Sequence, residues 1–299
     1  MLHLDLDPGA RVRELTLLSG SAASPVLRAD LEGGESVVIK VRGGEGQGAF
    51  DVEAFQLAHL AERSPLPVPR VLAHRKDGAA GPYTYLILSA IPGVPWARFH
   101  ALAGPVERAR LQRHLGSLVG RLHRGCVAPA FAEVRPSGSR SYKSWPDFFS
   151  SLWEERIEGV LAADRLDTQT LDGIEWIHRS LGRLLAMRDI PRLTHGNFGG
   201  MNVLCVEEDG EWRVSGVLDP SAAYAHREVD LALLEHRLAV GESFFEGYRE
   251  HIPIDPEYAE RKWIYMLYFT LEDVRVQGQT HQILQVIDLV QGILRTATV

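Results

Sequence analysis

The run His195-Gly196-Asn197-Phe198-Gly199-Gly200-Met201-Asn202 sets two carboxamides five positions apart around two adjacent glycines. The strand-like stretch Val214 to Leu218 follows, and Asp219 stands at its end. An amide oxygen and a carboxylate meeting at a loop edge suit Mg²⁺, which takes oxygen ligands, few protein groups and phosphate oxygens. Asn and Asp also occur in turns because their side chains bond local backbone. The loop alone favours the turn reading; Asp219 on the partner strand shifts the balance toward the ion.

A second pair lies upstream. Lys40 interrupts the β-branched run Val37-Val38-Ile39-Lys40-Val41. Strand residues alternate faces, so Lys40 shares a face with Val38 and opposes Ile39 and Val41. It is either an edge-strand lysine in water or a phosphate-binding lysine braced by a carboxylate. Glu53, in the first turns of the next helix, is the candidate brace, and such a Lys–Glu pair is one part of kinase phosphoryl transfer. The small-residue run Leu18 to Ser24 suits either a turn or a close backbone approach to phosphate. No Walker A, Gly-x-Gly-x-x-Gly or Gly-x-Ser-x-Gly sequence occurs, and the 12 histidines form no His-x-x-x-His pair. Zinc and serine-hydrolase chemistry therefore have no footing.

These residues need elements to carry them. Val26 to Ala29 and Val37 to Val41 flank Gly33-Gly34 and predict a hairpin. Gly43 to Gly48 is glycine-rich and reads as a mobile link. A helix is predicted over Ala49 to Glu62, with Phe50, Ala54, Leu57, Ala58 and Ala61 inward. Pro65 to Pro69 stops it. Tyr83 to Leu88 reads as a strand. Pro92-Gly93 marks a lobe boundary, giving an N-terminal β-rich lobe over 1–90 and a helical lobe over 91–299. Beyond the boundary, Leu111, Leu115, Leu118, Val119 and Leu122 keep one helical face, as do Leu171, Ile174, Leu181, Leu184 and Leu185. Val203 to Val206 and Val214 to Leu218 flank Asp209-Gly210, a hairpin turn signal. Helices resume at about Asp230, over Pro256 to Gln277, and over His281 to Arg295, where Ile283, Ile287, Val290 and Leu294 repeat. The fold class is α+β, with two unlike lobes and a cleft suited to a small molecule.

Composition narrows the partners. The 32 Lys and Arg against 39 Asp and Glu leave a net charge of −7, with no basic run. That argues against nucleic acid and anionic membranes. Cys126 and Cys205 stand far apart and read as free thiols of a reducing compartment. Met1 to Ala10 has no apolar core and does not read as a signal peptide. No run reaches the roughly 18 apolar residues of a membrane span. The expected location is cytoplasmic, and the expected state a monomer or weak dimer.

The stretch from Leu193 to Glu235 resembles the signature of the aminoglycoside phosphotransferase and choline kinase superfamily: His-Gly-Asp, four residues, Asn, then a downstream Asp. Within it the chain looks most like the fructosamine kinase (ketosamine kinase) family. The likeness rests on Leu218-Asp219-Pro220, Tyr224, Arg227-Glu228-Val229-Asp230-Leu231-Ala232 and Leu234-Glu235. It extends to Phe244-Phe245-Glu246-Gly247-Tyr248, Ile252-Pro253, Ser144-Trp145-Pro146-Asp147-Phe148-Phe149, and Phe50 with Glu53-Ala54. The resemblance implies a bilobal protein-kinase-like fold with ATP at a hinge near Ser89 to Ile91. It implies Lys40 on the phosphates, Glu53 bracing Lys40, and Mg²⁺ on Asn202 and Asp219. Asp230 would brace the loop through backbone hydrogen bonds, and His195 and Asn197 would stand at the catalytic position. The family's reaction moves the γ-phosphoryl of ATP to a sugar hydroxyl of a ketosamine, a glycated amine.

Two positions depart from the family. Asn197 stands where the family has its catalytic Asp. A neutral amide can orient a hydroxyl but cannot take its proton, and general-base help is worth about 10² to 10⁴ in rate. Gly199 stands where fructosamine kinases usually carry Trp, which bears on the acceptor. Three readings of Asn197 follow: a slow kinase with an altered acceptor, a nucleotide-binding pseudokinase, or a substitution introduced to trap a complex. The missing Trp counts against the third. Another acceptor, such as an aminoglycoside, is the remaining alternative. An acidic groove involving Glu154, Glu155, Glu158 and Asp164 would favour such a cation.

Overall fold

The computed structural model describes residues 11–21, 24–43, 49–75, 83–187 and 190–297. The glycine-rich residues 44–48 and positions 22–23 of the small-residue run lie outside them. Five antiparallel strands form the first sheet: β1 (Val12–Ser21), β2 (Ser24–Leu31), β3 (Ser36–Gly43), β4 (Val71–Arg75) and β5 (Tyr83–Ser89). Their order is β1-β2-β3-β5-β4. The helix α1 (Ala49–Arg63) runs between β3 and β4.

The alternation in β3 sorts its side chains as the period of two requires. Val37 and Ile39 join Ala29, Leu31, Tyr85 and Ile87 on one face. Val38 packs on the other face with Phe50, Ala54, Leu57, Leu86 and Leu88, under α1. Lys40 therefore points to the α1 side. The predicted apolar face of α1 needs one correction. Ala58 and Ala61 are exposed, while Gln56 and Leu60 are buried. The helix is rotated toward the rest of the molecule, where Leu60 enters a second core.

Beyond β5 the chain forms β6 (Val94–Pro95), α2 (Trp96–Leu102), α3 (Pro105–Gly125), β7 (Ala132–Glu133), α4 (Trp145–Ala163) and α5 (Thr168–Leu184). Then come β8 (Arg192–Thr194), β9 (Val203–Glu208), β10 (Glu211–Val217), β11 (Ala223–Ala225), α6 (Glu228–Leu238), α7 (Glu242–Arg249), α8 (Tyr258–Val276) and α9 (Thr280–Ala297). All five apolar positions predicted for α3 are buried. In α9 the buried residues are Gln282, Val286, Val290 and Ile293, so of the predicted repeat only Val290 is buried. The β9–β10 turn uses Asp209 and Gly210, both with positive φ (52° and 78°), as a tight two-residue hairpin demands.

Two small sheets, β10-β9-β6 and β7-β11-β8, are set among these helices. One continuous core joins them, running from Leu111 and Leu115 through Trp153 and Phe198 to Val290. Gly116 and Gly247 let α3 and α7 meet backbone to backbone; a methyl group on either would strike the other helix. Among the described residues no helix is long and apolar enough to cross a membrane.

Candidate active site

Three elements converge on one point. β3 supplies Lys40, whose Nζ lies 2.7 Å from Glu53 Oε1 on α1. The same ammonium donates to Asp219 Oδ1, just past β10. Burial alone would lower the Lys40 pKa, but Glu53 and Asp219 more than offset it and hold the ammonium above its ordinary value. The Glu53 carboxyl is pushed up by its own burial, which the pull of Lys40 only partly opposes. One ammonium faces two carboxylates, so Lys40 stays charged and the cost of desolvation sits on Glu53.

Asp219 adopts a left-handed backbone, φ 55°, which Asp tolerates better than most residues. Its neighbours hold it there. Leu218 N donates to Asn202 O at 2.8 Å and Ser221 N to His195 O at 2.9 Å. Such a conformation costs about 1–3 kcal/mol, persists only where the surroundings enforce it, and clusters at functional sites.

The loop His195 to Asn202 leaves β8, a short strand. Asp230, at the start of α6 and fully buried, anchors the loop: its two oxygens accept from His195 N and Gly196 N, each at 2.8 Å. His123 Nε2 lies 3.3 Å from the same carboxylate. Gly196 has φ 72°, and a side chain there would strike Ser221 O. Phe198 is buried against the His195 ring, centroids 4.7 Å apart.

His195 itself is fully buried, so its ring underlies the loop and does not face the opening. Its Nδ1 accepts from Asn197 N at 3.3 Å, and its Nε2 has no partner among the described residues. Burial drops its pKa from 6.5 to about 4, against the pull of Asp230 and Asp219.

Asn197 is exposed, and its Nδ2 donates to Asp219 O at 2.7 Å. The opposite orientation would set two acceptors against each other, so the amide is fixed with Oδ1 outward. Asn202 Nδ2 likewise donates to Asn197 O at 3.0 Å, turning its Oδ1 away from the loop. Asp219 meets Lys40 through Oδ1, which leaves Oδ2 without a partner among the described residues, in a side chain 46% exposed. Among the described residues no three His, Cys, Asp or Glu side chains gather to hold a metal alone. One carboxylate and one amide oxygen fit an ion that completes its shell with phosphate.

Ser89 and Ile91 lie at the crossover from β5 to β6. Ser89 Oγ accepts from Arg70 N at 2.9 Å, and Ile91 fills the space beside Gly216, where a Cβ would come within 2.7 Å of it. The acidic candidates separate. Glu154 and Glu158 line a groove between α4 and α5 with Asp172 and Glu175, and Asp164 caps α4. They are not part of the Lys40–Asp219 cluster. Gln56, which the sequence reading passed over, belongs next to that cluster. It lies one turn beyond Glu53 and is 5% exposed.

A family model described as fructosamine kinase matches residues 8–296 of the chain. A probable ketoamine kinase of Pasteurella multocida is 29% identical over 250 residues, covering 80% of this chain and 79% of the relative. The probable ketoamine kinase YniA of Escherichia coli K12 is 26% identical, covering 79% and 77%. Among solved structures, a candidate fructosamine-3-kinase of Thermobifida fusca superposes with TM-score 0.74 at 21% identity, covering 96% and 95%. An aminoglycoside phosphotransferase, APH(4)-Ia, solved with AMP-PNP and hygromycin B, superposes with TM-score 0.68 at 20% identity, again covering 96% and 95%. These likenesses carry the bilobal kinase-like fold. The chain belongs to the fructosamine kinase family and is a phosphotransferase enzyme built on the fold shared with the aminoglycoside phosphotransferases.

Proposed function

We propose that this protein is an ATP-dependent small-molecule kinase whose acceptor is a ketosamine. The observation that supports it is the convergence of Lys40, Glu53 and Asp219 with the carboxamides of Asn197 and Asn202. In this reading Lys40 grips the phosphates, with Glu53 fixing its ammonium. Asn202 Oδ1 and Asp219 Oδ2 would hold Mg²⁺, which when bound neutralises charge on the phosphate oxygens. Ser89 and Ile91 border the adenine side. The cleft between residues 1–90 and 91–299 is the nucleotide site.

Asn197 Oδ1 accepts a hydrogen bond from the acceptor hydroxyl and aims its oxygen at the γ-phosphorus. The new O–P bond forms as the bond to ADP breaks. The hydroxyl proton leaves to water or to the transferred phosphoryl, because an amide cannot take it. Phosphoryl transfer depends mainly on position and charge, so turnover survives at reduced rate. His195 and Asp230 hold the loop from beneath.

The test is ADP release with MgATP over a fructosyl-lysine panel, for this chain and for Asn197→Asp in parallel. Asn197→Asp is expected to raise kcat by about 10², the low end of general-base help. It also forfeits the bond to Asp219 O, at about 1 kcal/mol of stability. If neither protein turns over any ketosamine, the acceptor assignment fails. A second reading, nucleotide binding without turnover, draws on the same Asn197–Asp219 bond, which gives the amide a structural task no ionised Asp could fill. It predicts roughly 2.7 kcal/mol of stabilisation at 100-fold excess of MgATP over Kd, lost in Asp219→Ala, with no ADP formed.

A further inference from the structure

One face of α1 carries polar residues at Glu53, Gln56, His59 and Arg63, and each has its partner outside the helix. Glu53 meets Lys40. Gln56 Nε2 donates to Val134 O at 3.0 Å and to Ala222 O at 3.4 Å. His59 Nε2 shares a hydrogen bond of 2.9 Å with the Tyr224 hydroxyl. At Arg63 it is the backbone carbonyl that is held, accepting from the Cys126 thiol. Ala222 and Tyr224 follow Asp219 by three and five residues, so they belong to the segment that carries it.

The apolar packing of α1 is divided in the same way. Phe50, Ala54 and Leu57 pack on the five-stranded sheet, whereas Leu60 is fully buried in the core of the helical region. The helix is therefore tied more firmly to the Asp219 segment toward its C-terminal end. Gln56 is the central tie. It is buried and spans two carbonyls from different elements; without it Val134 O loses its donor in a site water does not reach, while Ala222 O keeps Val134 N at 3.0 Å.

The geometry points to Gln56 as a positioning residue that locks α1 to the Asp219 segment, so that Glu53 meets Lys40 before any nucleotide arrives. His59 and Tyr224 form the second tie. The consequence for the proposed phosphate-binding role of Lys40, on which the affinity part of this inference rests, is a preassembled site. In such a site, nucleotide binding does not have to reorder α1.

Gln56→Met keeps the length and apolar stem and removes both N–H donors. It is expected to speed amide hydrogen exchange across residues 53–63 by about tenfold in the free protein. It should weaken MgATP by about tenfold, the scale of one lost buried hydrogen bond. The same substitution on a Glu53→Gln background should change MgATP affinity less than twofold, because the tie acts through Glu53. Tyr224→Phe removes one hydroxyl at constant volume and should give a smaller change in the same direction. Unaltered exchange in α1, or equal weakening of MgATP on both backgrounds, overturns the assignment. Should none of the proteins bind MgATP, the nucleotide reading falls, and the exchange data still decide whether Gln56 holds the helix.

Discussion

In the five-stranded sheet the buried side chains fall into two small clusters, one per face. In the helical region a single core runs unbroken beneath the His195 loop and both flanking sheets. The side chains proposed to position the acceptor and hold the metal, Asn197, Asn202 and Asp219, are rooted in the deeper of the two. Lys40 stands on the thinner one and meets Asp219 through its own ion pair, with α1 beside it and Val217 N donating to Pro67 O at 2.7 Å. Precision is thus built where the core is thick, and the lysine is brought to it by α1. This division explains why a buried acid, Asp230, serves the loop. Two backbone amides satisfied by one carboxylate fix three residues at once, with little side-chain freedom left to lose.

The largest expected effect comes from breaking the point where the two regions touch. Asp219→Asn keeps the size and the tolerance of a left-handed backbone but removes the charge facing Lys40. Turnover should fall by about 10³ or more, and stabilisation by MgATP should vanish, while the unfolding midpoint moves little. A midpoint that falls sharply would mean that Asp219 serves the fold instead of the ligand. The next effect compares the cores directly. Leu193 and Leu86 are both fully buried, one in each region. Leu→Ala costs depend on how far the surroundings relax around the cavity, between about 2.7 and 5 kcal/mol. Leu193→Ala should lie near the top of that range and Leu86→Ala near the bottom, by urea unfolding. Equal costs would remove the contrast between the regions.

His195 supplies a pH test of the deep core. In the folded chain its pKa is lowered to about 4 from 6.5, so the ring stays neutral where the unfolded chain takes a proton. Stability from this group is therefore complete above about pH 6.5 and declines as pH falls through 6.5 toward about 4. The full loss is about 3 kcal/mol. Unfolding midpoints of the protein and of His195→Asn, measured from pH 7.5 to 4.5, should converge over that window. Parallel curves would show that the histidine does not carry the proton linkage.

Most of this arrangement could be read from the chain, and the gaps have physical causes. Lys40, Glu53 and Asp219 are chemically conspicuous: a lone lysine in a β-branched run, an acid on the following helix, an acid ending a strand. β1 went unread because all ten of its residues are exposed and register shifts near Val12 and Leu17 disturb its alternation. α4 lies outside the predicted helices, although Ser144 accepts from Asp147 N and caps it and Pro146 sits in its first turn, where proline is tolerated. Gln56 escaped because apolar periodicity is blind to a buried amide. The spacing of Glu53, Gln56, His59 and Arg63 along one helical face was the available signal.

The smallest effect probes the limit of the deep region. The β9–β10 hairpin carries Asn202 and Asp219 at its root and Asp209-Gly210 at its tip, six or seven strand residues away, which is about 20 Å. A Cβ at Gly210 meets nothing within 4 Å, but φ is 78°, so Gly210→Ala costs about 1–2 kcal/mol through backbone alone. The hairpin strands pair from tip to root apart from one bulge at Ser215, and Val203 and Val217 at the root are fully buried. Strain at the tip should therefore stop at the ladder and leave MgATP affinity within twofold. If nucleotide affinity instead falls with the turn, the root is not fixed by the core beneath it, and the division between a rigid helical region and a tethered sheet does not hold.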